Sequence, residues 1–256
     1  SQVQGGAPEV WSIYRDEANQ TKTISVSQSG VLQHLYNYGF DLAGNRINEE
    51  IDQTNYTSSY NSLNELTARS LNCTNNVQYD WNAEHRLCSV ISGSKKSQFE
   101  YDGRGRRVRI LETDDGSTVS DRRLFWCSLE LCEERAPDGS VICRYFPQGE
   151  IQSGVSFFYT ADHLGSIREL LDASQNLVSR IYYSPWGKRH VRNGTSVPSF
   201  GFAGLYVHGE SGLQLGAFRA YDADVGRWLS RDPLEEKGGN ANLFVYANND
   251  PIGYMV

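Results

Sequence analysis

An aromatic residue followed by aspartate or asparagine recurs at Phe40-Asp41, Tyr60-Asn61, Tyr79-Asp80 and Tyr101-Asp102, with starts 20, 19 and 22 residues apart. A period of that length marks an array of one small supersecondary unit, and it restricts the fold more than any other feature of the chain. Each unit has the same physical logic. The aromatic ends a strand, the Asp or Asn side chain bonds its own backbone just ahead, and a Gly or Asn soon after takes φ > 0. An Arg or Lys then opens the returning strand, whose apolar residues alternate. Looser copies start at Tyr159, Tyr183 and Tyr221, and Asp115-Gly116, Asp138-Gly139 and Asn193-Gly194 add hairpin signals.

Between the turns lie short strand-like runs: 31–38, 98–101, 108–112, 140–146, 156–159 and 177–183. No segment keeps a 3.6-residue apolar period over a dozen residues, and 167–171, set between turn signals, reads as strand rather than a helical turn. The composition agrees, with 15 Tyr, 10 Phe, 5 Trp and 24 Gly against one Met. The expected fold class is all-β.

Charge and cysteine bound the function. The formal net charge is −7, which ill suits broad phosphate-backbone binding. Arg104, Arg106, Arg107 and Arg109 alternate in strand fashion and read as a solvated face, so no nucleic-acid partner is expected. No apolar stretch nears the roughly 20 residues of a membrane helix, and the polar stretch Ser1–Pro8 shows no leader. Cys73, Cys88, Cys127, Cys132 and Cys143 lack the paired spacing of a zinc site and read as small buried apolar groups. No metal and no cofactor are expected. The sequons at Asn19, Asn55, Asn72 and Asn193 are assigned no glycans.

From Tyr159 onward the chain reads Asp162-His163-Leu164-Gly165-Ser166-Ile167-Arg168, then Gly201-Phe202-Ala203-Gly204-Leu205-Tyr206, Ser211-Gly212-Leu213 and Arg219-Ala220-Tyr221-Asp222. Gly226-Arg227-Trp228-Leu229-Ser230-Arg231-Asp232-Pro233 and Asn242-Leu243-Phe244-Val245-Tyr246-Ala247-Asn248-Asn249 follow in order. Together these resemble the core segment of RHS/YD-repeat proteins, which include polymorphic toxins, toxin-complex shells and the related teneurins. The resemblance implies YD hairpins in a coiled, shell- or barrel-like antiparallel sheet, with an inward-folded C-terminal core segment. Residues 1–158 are then the repeat region and 159–256 the core region.

The resemblance also carries chemistry. Arg219 and Asp232 match positions implicated in the family's aspartic-type self-cleavage. A second aspartate, opening a D-P-x-G-L signature, would fall at Val256, so the core region stops before the cleavage signature. Two neighbouring carboxylates can share a proton and divide acid and base roles, whereas a lone one beside arginine stays an ionised partner. The expected role is a structural wall and plug of an encapsulating shell, with no turnover of an external substrate and at most a remnant of an autoproteolytic site. An enclosed C-terminal effector polypeptide is the expected partner of the parent protein, with self-association through sheet edges as a second, and the parent is expected to be secreted or at the cell surface. Two alternatives stand beside this: a self-cleaving core lacking its second Asp, and a glycan- or cell-surface-binding module built on exposed aromatics. His208-Gly209-Glu210-Ser211-Gly212 lacks nucleophile-elbow spacing and reads as a hairpin turn; His163 reads as a turn residue.

Overall fold

The computed structural model describes residues 8–71, 75–194, 196–238 and 242–251. It is all-β, as the repeat predicts: among the described residues the helical segments are three short 3₁₀ turns. Two compact units meet in sequence at Gln78 and Tyr79.

The first unit holds β1 (Glu9–Arg15), β2 (Thr21–Gln28), β3 (Val31–Phe40), β4 (Arg46–Ile51), β5 (Thr54–Tyr60) and β6 (Leu66–Leu71), with the start of β7 (Asn75–Trp81). Each pairs antiparallel with the next. The second unit continues with β8 (Leu87–Ser92), β9 (Lys95–Tyr101), β10 (Arg107–Asp114), β11 (Ser117–Cys127), β12 (Glu130–Arg135) and β13 (Val141–Phe146). It then adds β14 (Gly149–Gln152), β15 (Val155–Ala161), β16 (Ile167–Asp172), β17 (Leu177–Tyr183) and β18 (Arg189–Asn193). From β8 to β18 every consecutive pair is antiparallel. The strands before and after Tyr159 therefore run on in one meander. A small second sheet follows: β19 (Tyr206–Val207), β20 (Gln214–Leu215), β21 (Ala220–Asp222) and β22 (Arg227–Trp228).

The repeat turn works as the sequence suggests. Asp41 Oδ1 accepts the N–H groups of Ala43 and Asn45 at 2.9 and 2.8 Å, and Gly44, at φ +80°, donates to the Asp41 carbonyl. Asn61, Asp102 and Asp162 repeat the pattern. One unit is placed differently from the sequence reading. The capping residue of the third turn is Asn82, whose Oδ1 accepts from Glu84 and Arg86, so the aromatic–amide step is Trp81-Asn82. Asp80 instead accepts the Ser89 hydroxyl at 2.6 Å. Tyr79 lies inside β7, where strand alternation buries its ring, and a sequence scan for Tyr-Asp fixes on the wrong pair.

The tyrosine of the step has its own task. Tyr60 Oη donates to the Arg46 carbonyl, Tyr101 Oη to Leu87 and Tyr183 Oη to Ile167, at 2.9, 2.8 and 2.7 Å. In each case the acceptor is the first residue of the strand that leaves the preceding turn, so each ring ties one hairpin to the one before it. That first residue is buried whether apolar (Leu66, Leu87, Ile167) or basic (Arg46, Arg107). The buried guanidiniums lie over tyrosine and phenylalanine rings, Arg46 at 4.0 Å from Tyr38 and Arg107 at 5.1 Å from Phe99.

Three further expectations change. The arginine run is not one solvated face: Arg107 is 1% exposed, Arg106 pairs with Asp102, and Arg109 bridges Glu100 and Asp121, while Arg104 is exposed. Cys127 and Cys132 form a disulfide across the β11–β12 turn, with Cα atoms 5.8 Å apart. Their spacing leaves a tight turn between two adjacent strands, which brings the two side chains together. Cys143 is buried as expected, Cys88 is half-buried, and Cys73 lies outside the described residues. Finally, Asn193-Gly194 ends β18 rather than turning a hairpin. A Cβ on Gly194 would stand 2.1 Å from the Val178 carbonyl oxygen, so this glycine serves close backbone approach.

Candidate functional site

The motif-rich segment after Ser199 packs onto the buried side of the second unit's meander. Phe200 meets the Tyr145 ring edge-to-face at 5.0 Å, the Ser199 amide donates to Glu150 at 3.2 Å, and the Ala203 amide donates to the Ser166 hydroxyl at 2.9 Å. Its centre is aromatic: Tyr183, Phe202, Tyr221, Trp228 and Tyr246 form one cluster with Ile181. Tyr221 is fully buried and donates to the Trp186 carbonyl at 2.7 Å. Gly187, at φ +86°, lies under Phe202, whose ring would sit 2.4 Å from a Cβ there. The motifs Gly201–Tyr206, Arg219–Asp222, Gly226–Trp228 and Phe244–Tyr246 thus encode a core, and Tyr79, Tyr145 and Tyr183 of the meander are buried as well.

Within this segment the fold brings Arg219 and Asp232 together. Arg219 precedes β21, Asp232 follows β22, and pairing of these two short strands closes the gap. Asp232 is held on both sides of its chain: its amide donates to the Leu243 carbonyl at 2.9 Å, and Oδ1 accepts from the Leu234 amide at 2.8 Å. The other oxygen, Oδ2, stands 3.1 Å from Arg219 Nη1. That approach is an ion pair lying off the ideal N–H line. The guanidinium is centred 4.3 Å from the Trp228 ring. Burial pulls the Arg219 pKa down from its ordinary value, and the Asp232 charge opposes that pull.

The pair faces a cleft of about 720 Å³. Its walls come from the turns at 84–86 and 104–105 and from the chain after β18, including Phe218, Arg231 and Lys237. Two further carboxylates, Glu84 and Glu235, line it, and Glu84 is paired with Arg86. Val256, where the resemblance sets the second aspartate, lies outside the described residues. Among the described residues no group of three or more His, Cys, Asp or Glu side chains is arranged to hold a metal ion.

A second polar cluster escaped the sequence reading. His208 sits in the β19–β20 hairpin turn, as its turn chemistry suggests, yet it is fully buried. Nδ1 is 2.7 Å from the Ser211 hydroxyl, and Nε2 is 3.0 Å from Glu112 Oε1 on β10, off the ideal N–H line. Glu112 Oε2 also pairs with Arg122 at 3.2 Å, and Arg122 donates to the Tyr206 hydroxyl at 2.6 Å. The contact to His208 holds Glu112 well down, at about 2, with Arg122 adding to it against the opposing effect of burial. Burial lowers the pKa of His208. Partners so distant in sequence leave no local pattern to read. His163, by contrast, is an exposed turn residue.

With this geometry in hand the comparisons are specific. Residues 147–252 match the family model of the teneurin YD-shell. The likeness to the RHS/YD-repeat shell family is established. Among curated relatives, the double-stranded DNA deaminase toxin A of Burkholderia cenocepacia is 25% identical over 77% of this chain and 16% of its own length. The tRNA nuclease WapA of Bacillus subtilis is 26% identical over 84% of this chain and 10% of its own length. The toxin protein Tse5 of Pseudomonas aeruginosa is 33% identical over 41% of this chain and 8% of its own length. The chain thus spans only a small part of each. Among solved structures, the TcdB2–TccC3–Cdc42 complex matches 97% of this chain and 18% of that one with a TM-score of 0.54 at 15% identity, a likeness of fold. Two of these relatives are named as toxins, and the YD-repeat, all-β reading of the chain agrees with the family model and with the fold of the solved structure. No helix among the described residues is long and apolar enough to cross a membrane.

Proposed function

We propose that this chain is a piece of the wall of an encapsulating YD shell in a secreted toxin protein, and that residues 159–256 form its core segment and plug. The observation that carries this reading is that the aromatic residues of 199–238 and 242–251 pack against the buried side of a meander that runs unbroken from β8 to β18. An interior segment fixed to a sheet by Tyr221, Phe202 and Trp228 is suited to closing a compartment, and the toxin relatives supply the reason for having one. The enclosed partner is a C-terminal effector polypeptide of the parent protein. Limited proteolysis of the parent tests this: the effector portion should survive at protease levels that digest it when expressed alone. Equal digestion of both would defeat the proposal.

A second reading rests on the Arg219–Asp232 pair. An arginine clamped between an indole and a carboxylate could steady a developing oxyanion, and Asp232 would need a second carboxyl to share a proton. Appending an Asp-Pro-x-Gly-Leu segment in place of the last residue should then yield a cut after the leucine that Asp232→Asn abolishes. An intact chain would remove this reading and leave the shell reading untouched.

A further inference from the structure

We propose that the cleft beside Arg219 and Asp232 is a binding site for an extended peptide bearing spaced carboxylates. Five cationic side chains line it against three carboxylates, on a chain whose formal net charge is −7. Two of the cations are fixed in the walls. Arg86 is held by Glu84 and lies 5.0 Å from the Tyr101 ring, and Arg219 is held by Asp232 and lies 4.3 Å from Trp228. A guanidinium clamped in this way has little rotamer freedom left to lose when a ligand arrives. The other three, Arg104, Arg231 and Lys237, are exposed, and no ion pair engages their side chains among the described residues.

The chemistry of the cleft selects among anions. Its paired carboxylates and Glu235 break the positive field into separated points, which disfavours a contiguous phosphate chain. Phe218, Pro233 and Leu243 give it an apolar share that suits side chains and a peptide backbone. Its volume falls within the roughly 300–1,000 Å³ of ordinary ligand sites. Gly105, at φ +79°, brings the 102–106 turn close, with Arg86 and Phe218 each 3.8 Å from where a Cβ would stand. A repeat turn therefore forms one wall and the core segment the other. The inference does not rest on self-cleavage, because binding and cutting are read by separate assays.

Fluorescence anisotropy with a fluorescein-labelled peptide, Glu-Gly-Phe-Glu-Gly-Glu, tests it on the full chain. Saturable binding is expected at low salt, weakened about tenfold or more in the matched glutamine peptide and in the double variant Arg104→Glu, Lys237→Glu. Arg104→Gln, a milder change at an exposed position, should give an intermediate loss while the melting temperature stays unchanged. Absence of binding, equal binding of the glutamine peptide, or full affinity in a folded double variant would overturn the proposal. So would a labelled oligothymidylate that binds more tightly than the peptide and displaces it.

Discussion

The buried Glu112–His208 contact predicts that acid loosens the joint between the β19–β20 turn and strand β10. Glu112 titrates at about 2 in the fold against an ordinary 4.5, because His208 and Arg122 hold its charged form. A depressed carboxylate contributes stability that is complete above the unfolded pKa and is lost as pH falls toward the folded one. At about 1.4 kcal/mol per unit, that amounts to roughly 3 kcal/mol between pH 4.5 and 2. His208 acts in the same direction. Its folded pKa lies below 6.5 through burial, so its contribution is whole above the unfolded value and fades as pH drops below it. The contributions are not independent, since each group faces the other, and the pair should lose about 3 kcal/mol rather than the sum of two shifts.

Glu112→Gln isolates the effect. Glutamine keeps the shape and can still accept from His208, but it has no charge to offer His208 or Arg122. The variant should be about 2–3 kcal/mol less stable at pH 7, with the pH dependence between 4.5 and 2 flattened by about one proton. Amide hydrogen exchange at Leu213, which donates to the Ser211 hydroxyl and whose carbonyl accepts from the His208 amide, reports opening of this joint directly. Urea unfolding at stepped pH gives the global value. A variant with the parent's pH profile, or a parent whose protection at Leu213 is flat from pH 7 to 3, would refute the reasoning.

Other perturbations follow from the packing. Gly187→Ala combines a left-handed backbone with a Cβ at 2.4 Å from the Phe202 ring and should cost about 2–4 kcal/mol; Gly93→Ala, with φ +62° and open space around it, should cost only about 1 kcal/mol. Equal losses in thermal melting would show that the ring contact does not matter. Tyr101→Phe removes the hydroxyl that donates to the Leu87 carbonyl and accepts from Arg107, so a loss of about 1–2 kcal/mol is expected. No change in the urea midpoint would refute the hairpin tie. Reducing Cys127–Cys132, which closes a very short loop, should lower stability by about 1–2 kcal/mol, and a larger drop with dithiothreitol would mean that the bond does more than pin one turn.

How far the fold was legible depended on how local its causes are. Asx turns are made by a side chain bonding its own backbone, so Asp41, Asn61 and Asp102 announce themselves in the sequence. Strand alternation and the glycines at Gly44, Gly105 and Gly165 do the same. The step at Trp81-Asn82 was misplaced because tyrosine and aspartate also occur two residues earlier, where they pack and bond across the strand. The burial of Arg107 was hidden for a related reason: an arginine reads as solvated until the rings of Phe99 and Tyr101 are known to flank it. The Glu112–His208–Arg122 cluster joins β10, β11 and the β19–β20 turn, and no spacing rule reaches across such separations.

The Arg219–Asp232 pair was legible only through the resemblance, yet the structure derives it from the repeat's own chemistry. In the ordinary turn the aspartate spends Oδ1 on the amide two residues ahead and offers Oδ2 to a nearby side chain. Asp41 gives Oδ2 to Asn45, Asp102 to Arg106, Asp162 to Arg168 and Asp172 to Asn176. Asp232 does the same: Oδ1 takes the Leu234 amide, its carbonyl takes the Glu235 amide, and Oδ2 meets an arginine. The difference is where the arginine comes from. It lies before Asp232 in the chain, across the small β19–β22 sheet, and it is half-sequestered over Trp228 instead of lying in solvent beside its own turn. A meander that repeats one capped turn therefore holds, wherever the cap is an aspartate, a carboxylate whose second oxygen can take its partner from the same turn or from elsewhere in the chain. Folding the last motifs back onto the sheet reassigns one of them, so that a turn residue faces a cleft with its charge fixed by a distant partner.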